Sequence, residues 1–207
     1  MKKILKKKRF YILLICLFFF LFITILMLKK GVLDIDKISY SFIKDNLIND
    51  SLTPYIKIFT NLGGSLILII VSLIIVLFTK NKKIALAIII NLIIAVLLNE
   101  ILKFIFQRAR PDQINWLVNE IGYSFPSGHS AVSMAFYGFL IYLIYTNFTN
   151  QKYKWILIVI LSIIIIFIGI SRIYLGVHYL SDVLAGFLFS IIYLIIYVYL
   201  YNKVLNL

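Results

Sequence analysis

The chain has 207 residues, 63% of them hydrophobic and 14% charged, with a mean hydropathy of +1.04. That composition excludes an ordinary soluble domain, in which about half of the residues are apolar. A net charge of +13 would suit nucleic acid, but its layout excludes that partner, because six of the 21 Lys and Arg fall in the first nine positions and the rest border apolar runs or connecting segments.

A helix needs about 20 apolar residues to cross a hydrocarbon core of about 30 Å. Six such runs occur, at 10–28, 61–79, 84–106, 130–148, 155–175 and 183–201. They predict an all-α fold, a polytopic membrane protein with six transmembrane helices in one bundle and a single membrane-embedded domain over 1–207. The first run follows the basic stretch MKKILKKKRF, is too long for a signal-peptide core and ends at Lys29-Lys30 without an A-x-A-like site. An uncleaved anchor is expected. The one cysteine, Cys16, lies inside that run and excludes an intramolecular disulfide. In the weakly apolar stretch 31–60, Ile35, Ile38, Phe42 and Ile43 recur near helical spacing, which predicts a short helix on the outer membrane interface, with a plain connecting loop as the alternative. NLGG at 61–64 reads as a turn into the second span. If six helices alternate, Lys80, Lys82, Lys83, Lys152, Lys154 and Lys203 share a side with the N-terminal cluster. The positive-inside bias then puts both termini in the cytoplasm, with the N-terminal cluster on anionic lipid.

Polar groups at membrane depth are costly and default to functional candidates. They come in three bursts: KFIFQRARP, with Lys103, Arg108 and Arg110-Pro111; PSGH, with Ser127, Gly128 and His129; and SRIYLGVHYLSD, with Ser171-Arg172, His178 and Asp182. One connection joins the first two bursts, and two crossings separate the second from the third. All three therefore face one compartment, the outer one by the charge bias. Taken singly, Lys103, Arg108 and Arg110 are ordinary snorkelling residues, Pro126-Ser127 an ordinary helix start, and Arg172 and Asp182 a structural ion pair. Those readings do not explain why these residue types gather in one place.

Their shared chemistry is phosphate chemistry. Lys103, Arg110 and Arg172 supply three cations, two able to grip phosphate oxygens bidentately. A Ser-Gly-His turn at a helix N-terminus offers free N–H groups, and Gly128 lets backbone approach a ligand. His178 and His129 can divide nucleophile and general acid between them. Asp182, four residues after His178, would share a helix face with it, accept Nδ1–H and leave Nε2 as the attacking lone pair. Glu100 stands three residues before Lys103, as a partner for its ammonium or as plain interfacial charge, and Arg108 is read as a contact for a second phosphate or headgroup or, again, as interfacial charge.

The order Lys-x6-Arg-Pro, Pro-Ser-Gly-His and Ser-Arg-x5-His-x3-Asp resembles the three-part signature of the type-2 phosphatidic acid phosphatase superfamily, at Lys103, Arg110, Pro111, Pro126, Ser127, Gly128, His129, Ser171, Arg172, His178 and Asp182. The resemblance implies that His178 forms a phosphohistidine, that Asp182 orients it and that His129 protonates the leaving group. Lys103, Arg110, Ser127, Gly128 and Arg172 would hold the phosphoryl oxygens. It implies no metal or other cofactor, a lipid phosphate or diphosphate substrate at the outer leaflet, and membrane lipids as surroundings. Undecaprenyl diphosphate is the first substrate expected, with phosphatidylglycerophosphate and phosphatidic acid as alternatives. A phosphotransferase would use the same site with an alcohol in place of water. Short loops and a Lys/Ile-rich composition point to a bacterial plasma membrane.

Overall fold

The computed structural model of the chain describes residues 2–112, 114 and 116–204, with side chains from residue 7 onward. The basic side chains of Lys2, Lys3 and Lys6 thus lie outside the described residues. Among the described residues there are eight α-helices and no strand: α1 (Lys2–Lys30), α2 (Asp34–Asn46), α3 (Thr53–Thr60), α4 (Ser65–Phe78), α5 (Lys82–Phe106), α6 (Gly128–Asn147), α7 (Gln151–Tyr174) and α8 (Leu180–Val204). Lipid offers no hydrogen-bond partner to a bare peptide group, so each apolar run closes its bonds within a helix. Polar residues mark the starts. The Asn81 side chain accepts from the N–H groups of Lys83 and Ile84 at the head of α5, and Asn150 does the same for Tyr153 at the head of α7.

Among the described residues, five helices are long and apolar enough to cross a membrane: α1 from Lys7, α5, α6, α7 and α8. The expected span 61–79 is interrupted. Its helical part, α4, has 14 residues, about 21 Å of helix against about 30 Å of hydrocarbon. Ahead of it, α3 and a 3₁₀ turn over Asn61–Gly63 meet α4 at 55°, so the count rises to six only if this bent pair makes one crossing. The break has a packing reason. A Cβ on Gly63 would stand 2.6 Å from Cγ2 of Ile168 on α7, so glycine is what lets the turn press against that helix. Tyr137 Oη donates to the Leu62 carbonyl at 2.8 Å, covering one of the acceptors the break exposes.

Helix α6 is the hub, packed on α5, α7 and α8. Its Ala135, Phe136 and Phe139 interleave with Ile88 and Leu92 of α5 and Ile168 of α7, all buried. Helices in lipid associate through close packing rather than through exclusion of water, which favours small residues at their contacts. A Cβ on Gly186 of α8, for example, would lie 3.0 Å from the Ser127 carbonyl. Along α8 runs α1, where Phe20 and Met27 pack with Phe125 and Ala185 and where Cys16 is buried. The other face of α1 exposes residues such as Phe18 and Phe22. On α2, Asp36 and Ile43 are buried against the bundle while Ile35, Ile38 and Phe42 point outward.

Candidate active site

Four helix ends converge at one end of the hub. Lys103 lies in the last turn of α5 and Arg172 in the last turn of α7, where the helix dipole favours a cation. The heads of α6 and α8 bring N–H groups that have no acceptor within their helices. After α5, Gln107 adopts a left-handed conformation (φ 44°) that turns the chain outward, and the connection 107–127 then carries Arg110 back across the site.

His178 and Asp182 meet, though not on one helix face as the spacing predicts. His178 lies in the turn before α8, and Asp182 lies in the first turn of α8, its Oδ2 accepting the Tyr179 N–H at 2.9 Å. A helix start capped in this way cannot extend back to His178. The fold still points Nδ1 at the carboxylate, 3.5 Å from Oδ2, with the Ser124 hydroxyl 3.4 Å from the same nitrogen. That is longer than a settled hydrogen bond, and such contacts often tighten when substrate binds. Nε2 accepts from Nη1 of Arg110 at 3.0 Å. A ring that accepts at Nε2 carries its proton on Nδ1, which fixes the tautomer by its partners. Burial pushes the His178 pKa down to about 4, with Asp182 opposing the shift.

The cations gather beside this pair. Arg110 also donates to the carbonyls of Val177, Ile121 and Gly122. Burial pulls its guanidinium below the ordinary value while Glu120 and Asp182 oppose that. Arg172 is almost fully buried, donating through Nη1 to Thr60 Oγ1 at 3.0 Å and through Nη2 to Glu120. The Glu120 carboxylate also lies 3.6 Å from Nη2 of Arg110, so one carboxylate joins both guanidinium groups. Lys103 pairs with Glu100 at 3.3 Å, the partnership the spacing allows. A Cβ on Gly128 would stand 3.5 Å from Lys103 Nζ and 3.1 Å from Asn99 Nδ2, so the bare backbone lets the ammonium approach the α6 head. His129 packs against the Gly63–Gly64 break, where a Cβ on Gly64 would lie 3.7 Å from Nε2. Ser127 is fully buried, accepts from the Ser130 hydroxyl at 3.0 Å and donates its N–H to the Asp182 carbonyl. Its own hydroxyl proton is the donor left for a ligand. Arg172 and Asp182 do not pair with each other.

Among the described residues, five without a signature role bond to these groups or to one another: Asp36, Thr60, Arg108, Glu120 and Ser124. Of the two readings of Arg108, as a contact for a second phosphate or headgroup and as plain interfacial charge, the buried side chain matches neither. All four of its terminal N–H bonds are used internally, on Ser181 Oγ, Asp182 Oδ1, the Gly31 carbonyl and Asp36 Oδ2. Ser124 donates to Asp182 Oδ2 from a fully buried position. A carboxylate that keeps its charge away from water needs such donors. Only the bare presence of Asp and Glu in connecting segments signalled Asp36 and Glu120 beforehand.

Comparison with known proteins bears on the same end of the bundle. The PAP2 superfamily model matches residues 84–205. More than half of the chain is matched, with all three motifs inside: the chain belongs to the PAP2 superfamily. It is a multi-pass membrane protein. The crystal structure of the transmembrane PAP2-type phosphatidylglycerolphosphate phosphatase from Bacillus subtilis superposes with a TM-score of 0.84 at 28% identity, covering 93% of this chain and 97% of that one. Phosphatidylglycerophosphatase B of Bacillus subtilis is 42% identical over 44% of this chain and 45% of its own length. An undecaprenyl-diphosphatase of Sulfolobus acidocaldarius is 30% identical over 61% of this chain and 59% of its own length. The chain spans about half the length of the curated relatives it matches.

Proposed function

We propose that the protein is a metal-independent membrane phosphatase that hydrolyses lipid phosphates or diphosphates through a phosphohistidine. One observation carries this reading: His178 presents Nε2 to Arg110 while Nδ1 faces Asp182. A neutral imidazole held in that tautomer is an activated nucleophile. In the first step Nε2 would bond to phosphorus as the P–O bond to the lipid breaks, and His129 would pass a proton to the departing oxygen. In the second, His129 would take a proton from water, whose oxygen attacks phosphorus and frees orthophosphate and the imidazole. Phosphate oxygens would replace Nε2 and Glu120 as acceptors for Arg110, with Lys103, Arg172, the Ser127 hydroxyl and the N–H groups at Gly128 completing the cradle. Three preorganised cations supply the charge stabilisation that the transition state demands.

In the same reading the chain works as one catalytic unit over 1–207, with both termini cytoplasmic and the site on the outer side, supported by the basic N-terminus. Helix α2 then lies at the outer interface with Ile35, Ile38 and Phe42 toward lipid, supported by their exposure. The lipid tail stays in the bilayer while its phosphate enters among the helix ends. Undecaprenyl diphosphate and phosphatidylglycerophosphate are equally supported substrates, since relatives named for each chemistry are similar to this chain.

The test is orthophosphate release by the full-length protein in detergent with EDTA present, from undecaprenyl diphosphate, phosphatidylglycerophosphate and phosphatidic acid. Release is expected, and His178→Ala should lower it by about 10⁴-fold or more, as when an enzyme loses its nucleophile. Release undiminished in His178→Ala, or restored only by a divalent metal, would sink the proposal. The order of rates ranks the substrates.

A further inference from the structure

Arg108 stands where the mechanism above gives it nothing to do. It is two residues from Arg110, yet its side chain is only 4% exposed and its donors all point into the protein. A buried cation without a ligand demands another reason for being there.

The bonds around it follow one path. Nη1 donates to Asp182 Oδ1, leaving Oδ2 to face His178 Nδ1, Ser124 and the Tyr179 N–H. With Oδ1 held, the carboxylate cannot rotate away from the imidazole. Nη2 donates to Asp36 Oδ2 at 2.9 Å and to the Gly31 carbonyl at 2.7 Å. The Tyr179 ring lies against the guanidinium, 4.2 Å from its carbon. Asp36 is in turn fixed by three further donors: the Leu33 N–H, the Ser181 N–H and the Ser181 hydroxyl, at 3.1, 2.8 and 2.8 Å. Arg108, Asp36, Asp182, Ser124, Ser181 and His178 are all buried. Only a planar fork with donors at fixed spacing bridges two carboxylates in this way.

We propose that Arg108 and Asp36 are positioning residues for the reaction: the guanidinium sets the orientation of Asp182, and through it His178, while Asp36 sets the guanidinium from α2. The inference rests on the phosphohistidine reading. It makes α2, which carries no signature residue, part of the machinery that aims the nucleophile. The plainer alternative is that the path only fastens α2 to α8. The two differ in what they predict. A fastening would disturb the phosphate cradle along with the chemistry. Positioning through Asp182 acts on the chemical step and vanishes when Asp182 can no longer respond.

The experiment uses the full chain in detergent, as wild type, Arg108→Lys, Asp182→Asn and the double variant. For each, kcat and KM for phosphatidylglycerophosphate and the inhibition constant of orthophosphate are measured. Arg108→Lys, which keeps the charge but loses the fork, is expected to lower kcat about 10- to 100-fold. KM and the orthophosphate constant should stay within about twofold, because Lys103, Arg110 and Arg172 still bind phosphate. In the Asp182→Asn background the same change should have no further effect, the signature of residues that act through one another. Wild-type kcat in Arg108→Lys overturns the proposal, as does a loss that adds in full to that of Asp182→Asn, or a parallel rise in the orthophosphate constant. Should Arg108→Lys fail to fold, Asp36→Asn enters the same cycle. Asn keeps the shape but sets an NH₂ group against donors, and about a tenfold loss of kcat that does not add to Asp182→Asn is expected. A wild-type protein that releases no orthophosphate defeats the phosphatase reading itself and this inference with it.

Discussion

The chain divides into a stretch from α5 to α8 that holds every signature residue and a stretch from Gly31 to Gly64 that holds none. The first supplies the proposed reacting and phosphate-gripping groups together with Arg108, Glu120 and Ser124 beside them, while the second adds supports from outside the motifs. Asp36 anchors the group that holds Asp182, Thr60 accepts from Arg172, and Gly63 and Gly64 give the His129 ring its place. Alignment thus draws also on a part of the chain that contributes none of the proposed chemistry. Conformational precision at such sites depends on the supporting groups as much as on the reacting ones.

Three measurements sharpen or break that division. The largest effect concerns His178, the proposed nucleophile. With the His178 pKa lowered by burial to about 4, the neutral ring persists in the fold below the ordinary imidazole value of about 6.5. The His178 ring, followed by NMR titration of the folded protein, should stay neutral down to about pH 4. The linkage has a definite sign. The unfolded chain binds this proton more readily, so the stability His178 contributes is present above about pH 6.5 and is lost as pH falls toward 4. A midpoint at the ordinary value would mean a hydrated ring. Next is Thr60→Val, which removes the acceptor of a buried guanidinium N–H, at a cost of about 1–3 kcal/mol. The orthophosphate inhibition constant should rise about tenfold, since about 1.4 kcal/mol is a factor of ten. A lower melting temperature with unchanged phosphate affinity would reduce the 31–64 stretch to scaffold. The smallest effect is that of Glu120→Gln. Its carboxylate, about a fifth exposed, lies between Arg110 and Arg172. A partly exposed pair is worth up to about 1 kcal/mol, so loss of its charge should tighten orthophosphate binding by up to about fivefold. Weaker binding in Glu120→Gln would make the carboxylate a support of the cradle instead of a competitor.

The same division marks what was legible in the sequence. Four of the long helices lie within four residues of their expected limits, as with α5 at 82–106 against 84–106, because lipid forces an apolar run into a helix whatever its neighbours do. The break at Gly64 was read only as a turn; that it halts a span depends on Ile168, more than 100 residues further on. Motif spacing is local, so it singled out His178, Asp182, Lys103, Arg110 and Arg172, which the fold brings to one end of the bundle. Asp36 meets Ser181 across 145 positions and Thr60 meets Arg172 across 112. No periodicity encodes such pairs. Arg108 stayed undecided between a headgroup contact and plain interfacial charge for the same reason. Near a membrane edge a basic residue suggests a headgroup, and only the tertiary fold reveals two carboxylates waiting for it.

Cys16 opens a route to the question of sidedness. It is the sole thiol of the chain and lies buried in α1 between hydrophobic neighbours. A membrane-impermeant maleimide applied to intact cells therefore meets an almost silent background. A cysteine placed at exposed Asp45, ahead of α3, and another at exposed Lys83, at the head of α5, would each answer alone. The natural protein is already a near-blank template for mapping which surface faces which compartment.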